Sequence, residues 1–282
     1  QIRMEVRSTM RKIAVLTDSA CDIPVELQEK YGIDILPFTI TLDGVSYVER
    51  KDFTFDEYYQ MLRDAKGTPT AMQFCDQFCK YLDEGYTDVL YVSINSTGSA
   101  THDAAVMAVD LLAEERPGHE LRIHIVDSHT YSFIYGWPVC EAARLLRNGA
   151  ELEYVMDMLN DRFSRAEVVL SAFSLKVMKK SGRVSAAAAF AGELLGLRPI
   201  ISLIDAVPGA LIKYVRSRVD NIDEDFEYMI ACTDIPAVDD LIKQCKKEFG
   251  HGPLHVFKLG AAVASNTGPD TIAITYLGRP RR

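Results

Sequence analysis

The stretch Lys12-Ile13-Ala14-Val15-Leu16-Thr17-Asp18-Ser19-Ala20-Cys21-Asp22-Ile23-Pro24 decides the fold class. Four consecutive apolar residues, Ile13 to Leu16, read as a strand buried on both faces, as in a parallel sheet. The run passes straight into Thr17-Asp18-Ser19. A helix is expected next, with Asp22 as its N-cap, Pro24 in its first turn and Gly32 at its stop. A buried strand followed by a polar turn and a helix is the opening of a βαβ unit.

The same order repeats outward. A second strand is expected over 33–41, with Asp43-Gly44 as a hairpin turn. Thr54-Phe55-Asp56-Glu57 and Thr70-Ala71-Met72-Gln73 are capping boxes that open helices, the first ending near Gly67. Strands are expected at 89–94 and 123–126, and helices at 101–115, 138–148 and 152–164. Beyond this point strand-like runs occupy 168–172, 200–204, 210–215, 228–232, 255–259 and 271–276, with helices at 186–195 and 238–249. The expected fold is α/β: an N-terminal parallel sheet with helices on both faces over 11–164, then a smaller α/β domain with a mixed sheet over 165–282.

The chain has 282 residues and a net charge of −9, which argues against nucleic acid as the main partner. No apolar run reaches the roughly 18 residues of a membrane span, and the opening lacks the apolar core of a signal peptide. Cys21, Cys75, Cys79, Cys140, Cys232 and Cys245 are scattered and form no CxxC pair. That pattern fits reduced thiols in the cytoplasm.

Candidate chemistry lies where strands end. Thr17-Asp18-Ser19, Asn95-Ser96-Thr97-Gly98-Ser99 and Asp127-Ser128 each close a strand, and Thr68-Pro69-Thr70 precedes a helix. In an open α/β sheet, ligands bind outside the carboxyl ends of the strands, where helix N-termini offer free N–H groups. Hydroxyls there suit a carboxylate or a phosphate. Each group taken singly also reads as a helix cap, Thr70 above all. No GxSxG, HExxH, GxGxxG or GxxxxGK[ST] motif is present, and no metal-ligand spacing is recognisable.

At these clusters the sequence resembles the DegV family of bacterial fatty-acid-binding proteins, from about Lys12 to Gly278. The matching residues, in order, are Thr17-Asp18-Ser19 with Asp22-Ile23-Pro24, then Val126-Asp127-Ser128 and Lys179-Lys180-Ser181-Gly182-Arg183-Val184-Ser185. Arg198-Pro199-Ile200-Ile201 and Val215-Arg216-Ser217 follow. The resemblance implies an apolar tunnel between two domains. It would hold a long-chain fatty acid such as palmitate, stearate or oleate, with no cofactor, no metal and no catalytic residue. The family holds the carboxylate with a TSQPS-like and an SGT-like segment, which here read Thr70-Ala71-Met72-Gln73-Phe74 and Ser99-Ala100-Thr101. Thr70, Ser99 and Thr101 are therefore the implied head-group ligands, with Asp18, Ser19 and Ser128 as pocket support. Residues 131–137, 186–195 and 200–204 are candidate linings of the tunnel.

Some relatives present the bound acid to a separate ATP-dependent fatty acid kinase for phospholipid synthesis. Arg183 and Arg216 match the arginines associated with that partnership, and Asn266 stands where the family carries a histidine. Asparagine carries neither a proton nor a charge for such a role. A monomer is the expected state. Two alternatives stay open at this point: a hydrolase or acyltransferase using a strand-end serine such as Ser99, and a carrier of another amphiphile.

Overall fold

The computed structural model describes residues 11–42, 45–61, 70–172, 197–199, 207–233 and 236–280. Strand β1 (Ile13–Asp18) lies between β2 (Asp34–Leu36) and β5 (Asp88–Ser93), and β5 pairs with β6 (Arg122–Asp127). All pairings are parallel, in the order β2-β1-β5-β6. A hairpin of β3 (Thr39–Leu42) and β4 (Val45–Val48) stands beside this sheet as a ribbon of its own. The crossing helices are α1 (Val25–Tyr31), α2 (Phe55–Met61), α3 (Ala71–Asp83) and α4 (Thr101–Glu115).

Side-chain alternation sorts the helices to the two faces. Ala14, Leu16, Val89 and Tyr91 meet Phe74 and Phe78 of α3 and Ala105 and Leu112 of α4. Val15, Leu90 and Val92 face the other way, onto α5 (Phe133–Arg147) and α6 (Leu152–Arg165) through Val139, Ala142, Val155 and Leu159.

The second, smaller domain holds a mixed sheet in the order β10-β9-β11-β7-β8. Its strands are β7 (Ala166–Ala172), β8 (Leu197–Pro199), β9 (Tyr228–Cys232), β10 (Val256–Lys258) and β11 (Thr271–Leu277). Strand β11 runs antiparallel to β7 and β9, while the two outer pairs are parallel. On its outer face Ile230, Ile272 and Ile274 pack on α7 (Val207–Arg218) and α8 (Ala237–Phe249). On its inner face Leu170, Met229, Ala231 and Ala273 share one apolar cluster with α5, α6 and α9 (Ala261–Thr267). The order of layers is helices, sheet, helices, sheet, helices. The middle helices belong to both sheets, so the domains meet through a continuous core, in which each fully buried Leu or Phe contributes about 1.5–3 kcal/mol.

Four expectations need correction. Asp22 does not cap α1. It sits in the left-handed region (φ 50°) and closes a 3-10 turn over Ser19–Cys21. Helix α1 starts at Val25, because Pro24 disfavours helical backbone at the residue before it. The expected strand over 33–41 is two strands. Pro37, which has no N–H for a ladder, separates β2 from β3. The helix expected from Pro138 begins five residues earlier, at Phe133, and carries Pro138 inside it. Proline there removes one backbone bond yet keeps a helical φ. Finally, 210–215 is not a strand but part of α7: Leu211, Ile212 and Val215 are buried on one face while Lys213 and Arg216 are not. The expected helix over 186–195, the strand over 200–204, the helix end near Gly67 and the Lys179-to-Ser185 stretch lie outside the described residues.

Candidate functional site

Helix α4 follows β5, and α3 leads into it, so both helices run from the carboxyl edge of the parallel sheet to its amino edge. Their N-termini therefore share the edge where β1, β5 and β6 end. Between β1 and β5 the order of successive strands reverses, β2 being added on one side and β5 and β6 on the other, which is the place where open α/β sheets leave a crevice.

Ser99 and Thr101 form the centre of this edge. Their hydroxyl oxygens are 2.8 Å apart. Thr101, the first residue of α4, is fully buried, and Ser99 is half-buried. Ala100 in the N-cap position makes no side-chain cap, and of the first-turn N–H groups of α4 that of Thr101 donates to Ser99 Oγ at a long 3.4 Å. Thr70 is the N-cap of α3 on the same edge. Its Oγ accepts from Gln73 N at 3.3 Å, and its own N–H donates to Gln73 Oε1 at 2.8 Å, the reciprocal capping box. Thr70 is exposed to solvent.

The sequence placed Asn95 in a strand-end cluster without singling it out as a ligand. It is fully buried, and its Oδ1 accepts from the Thr97 N–H and hydroxyl at 2.9 and 2.8 Å. Its Nδ2 has no hydrogen-bond partner, an unfilled donor beside the Ser99 loop. Gly98 is required by a close approach: a Cβ there would lie 2.3 Å from the Tyr131 hydroxyl. Asp127 clamps the ends of β5 and β6, accepting from Ser96 N at 3.2 Å and His129 N at 2.9 Å. Burial alone would raise its carboxyl, but hydrogen bonds from His129 and Ser96, with the charge of His129, bring it down to about 2.

The three expected supports are consumed by the fold around them. Asp18 accepts from four donors: Ala20 N at 3.2 Å, Tyr135 OH at 2.7 Å, Tyr91 OH at 3.1 Å and Ile94 N at 3.0 Å. Burial pushes its carboxyl up, and those donors pull against it. Ser19 donates to Glu49 at 2.5 Å and accepts from Phe38 N at 2.8 Å. Ser128 donates to Thr130 O at 3.3 Å and accepts from Thr130 N at 3.2 Å.

The other expected residues are not gathered here. Arg216 on α7 pairs with Glu248 at 3.3 Å, on the outer face of the second sheet. Asn266 on α9 donates to Ala262 O at 2.8 Å, on the inner face. Arg183 lies outside the described residues, as do two of the candidate linings, 186–195 and 200–204. In the third lining, Phe133 and Tyr135 are fully buried in the central core. A small cleft of about 30 Å³ opens between Trp137, Met229 and Thr275, room for about one water rather than an acyl chain.

Against known proteins, a family model described as an uncharacterised protein, DegV family, matches residues 12–279. A DegV domain-containing protein of Caldanaerobacter subterraneus subsp. tengcongensis is 26% identical over 95% of this chain and 99% of its own length. The structure is similar to that of a fatty-acid-binding DegV family protein from Thermus thermophilus (TM-score 0.78, 26% identity, 95% of this chain and 100% of that one). It shares its fold with a stearic-acid-binding protein from Eubacterium ventriosum (TM-score 0.80, 21% identity, 95% and 98% covered). With a family match that runs almost from end to end, this chain belongs to the DegV family.

Proposed function

We propose that this chain binds one long-chain fatty acid and carries it without transforming it. The observation that carries this reading is the Ser99–Thr101 hydroxyl pair, 2.8 Å apart at the uncapped N-terminus of α4. A carboxylate placed there would accept from two hydroxyls and from the first-turn N–H groups, on the favourable end of the helix dipole. Asn95 Nδ2 adds a buried donor that lacks a partner. Thr70 completes the set at the mouth, with the acyl chain running between the two domains. Each buried methylene contributes about 0.8 kcal/mol, so a sixteen-carbon chain gains roughly 12 kcal/mol, offset by several kcal/mol of ordering. The hydroxyls set the orientation and keep the carboxylate from being buried without partners.

The fatty-acid-binding Thermus thermophilus relative supports this ligand class. The hydrolase alternative gains no such support, because the recorded partner of the Ser99 hydroxyl is another neutral hydroxyl rather than a base. In the proposed role the protein is a cytoplasmic monomer. Any presentation of the acid to a separate kinase proceeds without an imidazole at 266, whose amide is bonded within its own helix. The test is denaturing mass spectrometry of protein purified from a bacterial host, followed by uptake of palmitate or oleate by the delipidated chain. A retained acid of one per chain is expected; no retained lipid and no uptake would overturn the reading.

A further inference from the structure

Beneath the end of β1 lies a polar cluster that the proposed ligand site does not use. Asp22 and Glu49 are both buried, at 3% and 0% exposure. Glu49 accepts from the Ser19 hydroxyl at 2.5 Å and from Ala262 N at 3.3 Å, so it ties the first domain to the start of α9 in the second. Asp22 accepts from the Ser132 hydroxyl at 2.5 Å, while its Oδ1 rests against Gly260, whose backbone N–H falls outside good hydrogen-bond geometry yet still pulls the carboxyl down. A Cβ on Gly260 would lie 2.0 Å from Asp22 Oδ1 and 3.2 Å from Glu49 Oε1, so both carboxylates crowd one spot at the domain seam. Backbone strain collects there too. Of the four non-glycine residues with positive φ among those described, Asp22 (50°), Arg50 (68°) and Ser132 (61°) all belong to this cluster. Such strain persists only where the surroundings over-determine it, and it gathers at switches and sites.

We propose that Asp22 and Glu49 hold one proton between them and form a pH-sensitive latch that ties the end of β1 to α9. Two carboxylates this close and this dry do not both ionise. Burial is the main cause that pushes Asp22 up to about 8 and Glu49 up to about 7; the negative charge of Glu49 adds to the rise at Asp22. The groups facing the pair do not remove the need for a proton. Arg50 is the nearby cation, and its guanidinium is held by Ile23 O at 2.9 Å and Gln28 Oε1 at 3.0 Å. Asp18 at the end of β1 can only add negative charge, and the Cys21 thiol and the Tyr58 hydroxyl on α2 stay neutral because burial pushes both up. From the N-cap of α5 the pair meets the Ser132 hydroxyl, and α9 supplies the backbone N–H groups of Ala261 and Ala262. Asp56 on α2 is paired with Lys258 of β10 at 2.6 Å. Donors and a guanidinium repel a metal cation, so a proton is the cation that fits.

The direction follows from linkage. Both carboxyls are raised in the folded chain, so the latch is fully closed below the ordinary carboxylate range and weakens as pH rises through about 7 to 8. Hydrogen-exchange protection of the α9 amides, corrected for intrinsic rates, should fall between pH 6 and 8 by up to roughly tenfold per pH unit, the limit for one proton. In Glu49→Gln, whose amide supplies a permanent donor, that slope should vanish. Carboxyl ¹³C NMR of the unmodified protein should show at least one of the two groups titrating above pH 6, a readout that survives if the variant does not fold. A flat wild-type profile, the same slope in Glu49→Gln, or both carboxyls titrating in the ordinary range would overturn the latch. None of these readouts depends on lipid.

Discussion

The ends of β1 and β5 lie side by side and are equally rich in polar residues, yet they differ in what those residues face. At the end of β1, Asp18, Ser19 and Asp22 are buried and bound to other parts of the chain: Tyr135, Phe38, Glu49 and Ser132. At the end of β5, Ser99 is bonded to Thr101 alone among the recorded partners, and Asn95 Nδ2 has none. A polar residue at a strand end therefore does not by itself mark a site. What marks one for an anion is a buried donor that the fold has not already used, as Asn95 Nδ2 is; the unpaired atom at the β1 end, Asp22 Oδ1, is an acceptor. The β1 end should be felt in stability, and the β5 end in ligand affinity.

The largest effect should come from Asp18→Ala, which strips the acceptor from four buried donors and should cost at least about 3 kcal/mol in urea unfolding. A loss below about 1 kcal/mol would break the contrast, since buried unsatisfied donors cost more than that. Gly260→Ala comes next. Its new methyl would meet Asp22 Oδ1 at 2.0 Å, and forced overpacking of this kind costs about 1–3 kcal/mol. An unchanged unfolding midpoint would mean that the seam yields freely. At the other strand end, Ser99→Ala and Thr70→Val should each weaken fatty acid binding by roughly 1–3 kcal/mol, read by calorimetric titration. If both variants bind unchanged, the carboxylate does not sit at this edge. The smallest effect belongs to Arg216→Ala. The pair with Glu248 is half-exposed, and its loss should change stability by less than about 1 kcal/mol.

Much of the first domain was legible because its signals are local. Buried parallel strands read as apolar runs, and both capping boxes announce their helices within four residues. Where local signals competed, the reading failed. A six-residue window over 210–215 holds branched and apolar residues that suit strand or helix alike, and only the wider spacing of Val207, Leu211 and Val215 marks the helical face. Asp22 carried the chemistry of a cap, but Pro24 set the helix start.

The site was legible only where one short segment carries it. Ser99 and Thr101 are two residues apart and their hydroxyls do meet. The buried carboxylate pair was not, because its members come from distant segments: Glu49 bonds Ala262 across 213 positions, and Asp22 bonds Ser132 across 110. A lone glutamate after a hairpin strand gives no sign of burial. Asn95 looked like one more polar residue of a turn, and its unfilled donor shows only in three dimensions.

The central claim is that the β5 edge holds the head group of a fatty acid, and calorimetric titration of delipidated protein with oleate tests it most directly. The account predicts one equivalent bound by the unmodified chain. It also predicts a roughly fivefold or greater loss of affinity in Ser99→Ala, about 1 kcal/mol or more, with an unchanged unfolding midpoint. No uptake of oleate, or equal affinity in the variant, would contradict it.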